Sequence, residues 1–265
     1  MSDRIRQVVV TASAVFMVVG TLFGIGVIGT RVEESAGGSL SATATLLAPA
    51  VRAFSIWSVI YAGLIAYVVW QWLPSNATSP RARRIGWLSA LSMVLNGAWL
   101  LVTQAGWLWA SVVVILGLAV TLGELMRRLG RPVRAGSVGK VIVDGTFGLY
   151  LGWVSIATAA NITATLVASG VNPPLEVAEL LAVGVLAVAA VIGVLLARLL
   201  DARVGVALAM AWGLFWIAVG RIAGEPSSVL TGAAAGVAAA VVLTAAGLIW
   251  LRRAGEPVLV HAHRP

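Results

Sequence analysis

Apolar residues form eight long runs along this chain, separated by short polar segments. Each run is close to the length of about 20 residues that an α-helix needs to cross the hydrocarbon core of a bilayer. The runs occupy approximately residues 7–29, 54–73, 86–105, 107–126, 141–167, 177–197, 204–222 and 229–250. The pattern therefore predicts an all-α protein, a polytopic transmembrane bundle of eight helices.

The composition agrees with a membrane protein. Hydrophobic residues make up 60% of the 265 residues and charged residues only 11%, whereas soluble domains are about half apolar and one-quarter charged. The chain has no cysteine, which excludes disulfides and thiol chemistry. Its two histidines, His261 and His263, lie in a polar C-terminal tail. We expect them to be solvated there, and we expect no metal site.

The basic residues are concentrated on alternate connections between the apolar runs. If the N-terminus is inside, all but three of the 18 Lys and Arg residues lie on the inner side, and the three are Arg31, Arg52 and Arg221. Cytoplasmic loops carry such an excess, so we expect a multi-pass protein of the inner (plasma) membrane with both termini cytoplasmic. Contact with the lipid bilayer and its anionic headgroups accounts for the net charge of +8, and no nucleic-acid partner is expected.

Aromatic and amide side chains inside three of the runs fall on single helical faces, because residues three and four apart are neighbours on a helix. At a rise of about 1.5 Å per residue, they all fall in one layer roughly 15 Å deep, in the outer half of the bundle. The members of this set are Phe54, Trp57 and Tyr61 in the second run, Asn96 and Trp99 in the third, and Trp153, Ala157 and Asn161 in the fifth.

Two interpretations of this layer are open. An apolar pocket with a few orienting polar groups is typical of a small-molecule site, and here it would suit a flat aromatic or sterol-like ligand. In that interpretation Trp57 and Trp153 stack on the ligand, and Asn96 and Asn161 bind its polar edge. Ala157 leaves room for it. Alternatively, the same residues form a tryptophan-rich helix interface with satisfied amides.

Three other features have two interpretations each. The segment of residues 31–53, the longest connection, is either a loose linker or a lid over an outward-opening site. Asp144 has Lys140 one turn before it, which favours an interfacial ion pair over a proton or cation site. Trp212 and Trp216 share one face of the seventh run, which indicates helix packing or a second aromatic lining.

The aromatic and amide residues also carry a family resemblance. Their order, spacing and assignment to spans resemble those of the TspO/translocator protein family, whose members are also called tryptophan-rich sensory proteins or peripheral benzodiazepine receptors. The resemblance covers the first five runs. The matching segments are Phe-x-x-Trp-x-x-x-Tyr at 54–61, Leu-Asn-x-x-Trp at 95–99, and Tyr-Leu-x-Trp-Val-x-x-Ala-x-x-x-Asn at 150–161.

The resemblance implies a TspO-like five-helix membrane domain in residues 1–170, with the loop after its first helix as a lid. It implies a pocket for porphyrins, haem-like tetrapyrroles or sterols, and a homodimer as one assembly. Residues 171–265 would add three transmembrane helices and a cytoplasmic tail. One departure from the family pattern is that no tryptophan precedes Phe54 in the 31–53 loop.

The sequence thus favours a membrane protein that binds a planar hydrophobic ligand in an outward-facing pocket, with a sensory, regulatory or transport role. The alternative is a transporter of a small hydrophobic solute without a tetrapyrrole role. Such a transporter is expected to have broken helices or a buried charge near the middle of the membrane. An enzyme is not expected, because the spans contain no paired carboxylates and no nucleophile–base set. Photo-oxidative porphyrin breakdown, proposed for some members of the resembled family, is the one exception left open.

Overall fold

The computed structural model describes residues 2–130, 138–201 and 203–254. Within these ranges, eight helices are long and apolar enough to cross a membrane, and no β-strand is found. The predicted all-α polytopic bundle is confirmed. The tail histidines His261 and His263 lie outside the described residues.

The eight helices are numbered in chain order. They are α1 Asp3–Gly24, α2 Ile56–Trp72, α3 Pro80–Gln104, α4 Leu108–Leu129, α5 Thr146–Ala168, α6 Leu175–Leu199, α7 Val204–Ala223 and α8 Val229–Ala254. Four short helical elements accompany them: α-helical turns at Ser35–Gly38 and Pro74–Ala77, a 3-10 turn at Val51–Ser55 before α2, and a π-helical turn at Lys140–Gly145 before α5.

The predicted limits of the helices agree with the structure to within a few residues, except at the end of α1 and the starts of α3 and α5. Helix α5 starts at Thr146, because the π-helical turn at Lys140–Gly145 takes up the first residues predicted for it. Helix α1 stops at Gly24 although the chain stays apolar to residue 29, because Gly26 and Gly29 both adopt φ of +76°. This left-handed conformation is one that glycine adopts without steric cost and that ends a helix. Helix α3 starts earlier than predicted, with Pro80 in its first turn, a position that suits the fixed φ of proline.

The helices pack in a continuous chain of neighbours. Helix α1 lies against α3, α3 against α4, α4 against α5, α5 against α7, and α8 against both α7 and α6. Helix α2 contacts α1 and α5. The last three helices are therefore joined to the first five through α7. We call the end of the bundle that carries residues 31–53 the loop end.

Two glycines allow the closest approach between α5 and α7. A Cβ placed on Gly148 would lie 3.4 Å from the backbone nitrogen of Val206, and one on Gly152 would lie 2.9 Å from the Cβ of Ala209. The Gly148/Gly152 pair is a small-xxx-small pattern, which lets helix backbones approach in membranes. The backbones of α5 and α7 touch along this seam.

The outside of the bundle is apolar. Val113 and Val120 on α4 are each 71% exposed, and Leu180 on α6 is 66% exposed. Contiguous exposed apolar surface of this kind marks a face that meets lipid or a partner. Together with the length of the helices, it identifies an integral membrane protein.

Ionic contacts occupy the end opposite the loop end. Glu124 accepts hydrogen bonds from Arg127 and Arg128 within its own helix. The expected pairing of Asp144 with Lys140 is wrong. Asp144 instead binds Arg81 at 2.5 Å and also Arg203, because it faces the bundle interior, where the first residues of α3 and α7 meet.

Candidate functional site

Two small adjoining cavities lie among α2, α3, α4 and α5 at the loop end. The larger has a volume of about 50 Å³ and the smaller about 20 Å³. Seven of the eight predicted site residues line them. Phe54, Trp99, Trp153 and Ala157 line both cavities, Asn161 lines the larger one, and Trp57 and Asn96 line the smaller one.

Aromatic rings form the wall of these cavities on the α2 and α5 side. The Trp153 ring meets Phe54 edge-on at 5.7 Å between centroids and Trp57 edge-on at 6.2 Å. Trp57 in turn stacks on Tyr61 at 5.1 Å and meets Tyr150 edge-on at 5.8 Å. These are favourable aromatic geometries, so the rings support one another and are held in place by packing.

Tyr61 is the one predicted residue that lines neither cavity. Tyr61 lies behind the aromatic wall, where its hydroxyl donates to Asn96 Oδ1 at 3.1 Å and its ring stacks on Trp57. Tyr150 has a similar supporting position, because its hydroxyl donates to the backbone oxygen of Ser92 at 3.2 Å.

The carboxamide of Asn161 is engaged by protein groups. Its Oδ1 accepts from Trp99 Nε1 at 2.8 Å, and its Nδ2 donates to Ser111 Oγ at 3.0 Å and to Thr165 Oγ1 at 3.4 Å. This is the satisfied amide of the packing interpretation. The network ties α3, α4 and α5 together at the height of the larger cavity.

The indole nitrogen of Trp153 differs from these groups. The side chain is 1% exposed, and its Nε1–H has no hydrogen-bond partner among the described residues. Leaving a buried donor unsatisfied costs about 1–3 kcal/mol, so this indole N–H is a group that a hydrogen-bond acceptor would stabilise.

The 31–53 loop forms the roof of the larger cavity. Residues from both halves of the loop line it, namely Val32, Ser39, Leu40, Ser41, Thr45, Ala48 and Pro49. Leu47, Ala48 and Thr45 are buried. The segment is thus packed against the bundle as a lid, and it is not a loose linker in this structure.

Helix α7 holds the other side of this loop. Arg221 donates from Nη1 to the backbone oxygen of Thr45 and from Nη2 to that of Ala42, both at 2.9 Å. Trp212 Nε1 donates to the backbone oxygen of Ala53 at 2.9 Å. Trp212 and Trp216 line neither cavity, so these two residues pack between α7 and the loop.

Comparison of the sequence with known protein families tests the family resemblance that the motifs suggested. The family model described as TSPO-like protein matches residues 6–248 of this chain. The chain belongs to the TSPO-like family. The match extends beyond the first five helices and includes α6, α7 and most of α8. No curated protein and no solved structure matched this chain.

Family membership does not by itself assign the site residues, and the structure adds several that sequence reasoning missed. Ile115 and Leu118 of α4 line the smaller cavity, and nothing separates them in sequence from the other apolar residues of that helix. Ser111 was missed because a hydroxyl inside a helix can equally bond its own backbone. Arg221 carried a signal, because a charged residue within an apolar span is expensive and often functional.

A metal centre finds no support in the described part of the chain. Residues 2–130, 138–201 and 203–254 contain no group of three or more His, Asp or Glu side chains placed to hold an ion. The cavities are lined mainly by aromatic and apolar side chains, and their polar lining residues are Ser39, Ser41, Thr45, Asn96 and Asn161.

Proposed function

We propose that this TSPO-like integral membrane protein binds a planar hydrophobic ligand, of the porphyrin or sterol type, between the aromatic wall of α2 and α5 and the 31–53 loop. Binding is its primary activity, in the service of a sensory, regulatory or transport role. The site opens to the outer side of the inner (plasma) membrane, with both termini in the cytoplasm.

One observation carries this proposal. Seven residues singled out from three separate helices line two adjoining cavities, and one of them, Trp153, has a buried Nε1–H with no partner among the described residues. A ligand with an acceptor on its edge would satisfy that donor while its flat face meets Trp57 or Phe54. Aromatic faces combined with few polar groups are typical of such sites.

The cavities are small in this conformation. Sites for drug-sized ligands have volumes of about 300–1,000 Å³, well above the 50 Å³ of the larger cavity. Ligand entry therefore requires the loop to move away from the wall, the aromatic rings to rearrange, or both. Because the rings support one another through several contacts, the loop is the more easily displaced element.

The test is a titration of the purified protein with protoporphyrin, followed by quenching of tryptophan fluorescence. We expect saturable binding that weakens about tenfold or more in Trp153→Phe, which loses the indole donor, since 1.4 kcal/mol corresponds to a factor of ten. Ala157→Leu fills the space between the rings and should weaken binding similarly.

Matched controls use residues on the outside of the bundle. Trp107 is 65% exposed, so Trp107→Phe should leave the affinity unchanged, and Ala62→Leu on the exposed face of α2 should do the same. Unchanged affinity in both Trp153→Phe and Ala157→Leu would contradict the site assignment. Ligand-independent flux of a small solute through liposomes, without any tetrapyrrole or sterol binding, would favour the transporter.

A further inference from the structure

The loop that closes the candidate site is held from behind by a helix outside the five-helix unit. Residues Ala42 to Ala53 of the 31–53 loop lie between the cavity on one side and α7 on the other. The larger cavity is too small for a planar ligand, and the loop is the lining element that is most easily displaced. The contacts that hold the loop against α7 would therefore govern access to the site.

Arg221 makes the strongest of these contacts. Its side chain is 1% exposed, and its guanidinium donates to three backbone oxygens, those of Ala42, Thr45 and Glu225, each at 2.9 Å. Hydrogen bonds from a charged donor are about twice as strong as neutral ones. Two of these acceptors belong to the loop and one to the turn after α7, so Arg221 joins the two segments.

The environment of Arg221 is unusual for a cation. No carboxylate of a described residue lies within ion-pair distance of it, because the Glu225 carboxylate instead accepts from the backbone nitrogen of Ser227. The Nε of Arg221 also has no partner among the described residues. A buried, unpaired charge is costly in a membrane protein and is retained where it has a function.

Three neighbouring contacts on α7 complete the attachment. The backbone nitrogen of Ala50 donates to the backbone oxygen of Trp216 at 3.1 Å, and Trp212 Nε1 donates to the oxygen of Ala53. Gly220 allows this approach, because a Cβ at that position would lie 3.4 Å from the nitrogen of Ala50. A longer side chain at Gly220 would therefore push the loop away from α7.

We propose that Arg221 is a positioning residue for the ligand site, and that α7 acts as a latch that keeps the 31–53 loop closed over the cavity. Release of the two loop carbonyls from the guanidinium opens the site. The C-terminal helices thereby control the rate at which a planar ligand enters and leaves, a consequence that rests on the proposed function. The position of the latch itself does not depend on the identity of the ligand.

The test uses single introduced cysteines, since the chain has none of its own. Ala164 lines the larger cavity and is 5% exposed, so the cysteine of Ala164→Cys should react slowly with a water-soluble maleimide. We expect Arg221→Ala to raise that rate about tenfold or more, the effect of losing about 1.4 kcal/mol of closing free energy. Gly220→Leu should raise it as well.

Conservative and control variants separate the latch from a general loss of structure. Arg221→Lys keeps the charge but lacks the guanidinium fork, so it should give an intermediate rate. Arg52→Ala removes an exposed arginine of the same loop and should leave the rate unchanged. Ala82→Cys, at a fully buried site near the opposite end, should stay unreactive in every variant.

Two results would overturn the latch. One is an unchanged Ala164→Cys rate in both Arg221→Ala and Gly220→Leu. The other is a rise at Ala82→Cys equal to that at Ala164→Cys in both variants, which would indicate unfolding instead of loop opening. If Arg221→Ala does not fold, the labelling rate in Gly220→Leu tests the latch by itself. Gly220→Leu keeps the buried guanidinium of Arg221 in place.

Stopped-flow mixing with protoporphyrin supplies the second readout. Both the association and the dissociation rate should rise in Arg221→Ala and stay unchanged in Arg52→Ala. Faster cysteine labelling without protoporphyrin binding in any variant would leave the latch standing and remove the proposed ligand class. Normal binding kinetics with unchanged labelling would remove only the latch.

Discussion

Asp144 holds together three segments of the chain at the end opposite the loop. Its carboxylate binds Arg81 from the start of α3 and Arg203 from the start of α7, and Arg203 also donates to the backbone oxygen of Gly130 after α4. Arg203 is 6% exposed and Asp144 is 9% exposed. Removing one partner from a buried ionic group leaves uncompensated charge, which is far more costly than losing a surface pair.

We therefore expect Asp144→Asn to destabilise the protein by about 3–5 kcal/mol, because two arginines would lose their counter-charge. The measurement is reversible unfolding of the purified protein in detergent, followed by the loss of helical circular dichroism. Glu124→Gln is the matched control, since the half-buried Glu124 binds two arginines that are themselves exposed, and it should change the midpoint little. Equal effects of the two substitutions would contradict the structural role of Asp144.

Sequence reasoning predicted which residues are unusual but not which groups they bind. It grouped Asn161 with Trp153 on one face of α5, and the structure brings both to the larger cavity. It could not show that Ser111 and Thr165 engage the Asn161 amide, because hydroxyl residues inside a helix are also free to bond their own backbone. Nor could it pair Asp144 with arginines more than 50 positions away in the chain, since the pairing depends on how helix ends converge.

At the scale of helices, the seam between α5 and α7 depends on glycine. A Cβ at Gly152 would collide with the backbone oxygen of Val206 and lie 3.1 Å from the backbone nitrogen of Met210. Both of these atoms belong to the backbone and cannot rotate away as the end of a flexible side chain can. A larger residue can therefore be accommodated only if the two helices separate. Separation would also displace Trp153, which is the next residue on α5.

Gly152→Ala should accordingly destabilise the protein by about 1–3 kcal/mol, the usual cost of overpacking a filled core. Gly123→Ala on α4 is the control, because a Cβ there meets no atom within 4 Å among the described residues. This control should stabilise the helix slightly, since alanine is the better helix former. Thermal unfolding of both variants in the same detergent tests the prediction, and equal midpoints would contradict the close approach of α5 and α7.

The number and approximate limits of the helices were predictable, because apolar runs of membrane-spanning length dominate the sequence. The order of packing was not. The only sequence signal for the α5–α7 seam is the Gly148/Gly152 pattern, which is weak in a chain with 29 glycines and does not name the partner helix. The division of the chain at residue 170 stays a prediction, and the family match extends across it.

For the molecule as a whole, the distribution of charge predicts its orientation. With 15 basic residues expected inside and only Arg31, Arg52 and Arg221 outside, the positive-inside rule predicts that the 31–53 loop lies on the outer side of the membrane. We expect the cysteine of Thr43→Cys to react with an impermeant maleimide in intact cells. The cysteine of Ser75→Cys should react only after the membrane is permeabilised.

Both reporter positions are exposed in the structure, so the comparison measures sidedness and not burial. The reverse pattern, with Ser75→Cys reactive in intact cells, would invert the topology and place the candidate site on the cytoplasmic side. Reaction at both positions in intact cells would contradict the number of spans between them.

The attachment of the 31–53 loop to Arg221 has a thermodynamic consequence. The loop cannot leave α7 for a ligand without changing the free energy of the α6–α8 unit, so the two are linked, and linkage between binding equilibria is reciprocal. A lipid or protein that binds this unit and stabilises the attached loop would weaken ligand binding by a certain factor. The ligand would weaken the binding of that second molecule by the same factor. The affinity of α6–α8 for the second molecule would therefore depend on whether the cavity is occupied.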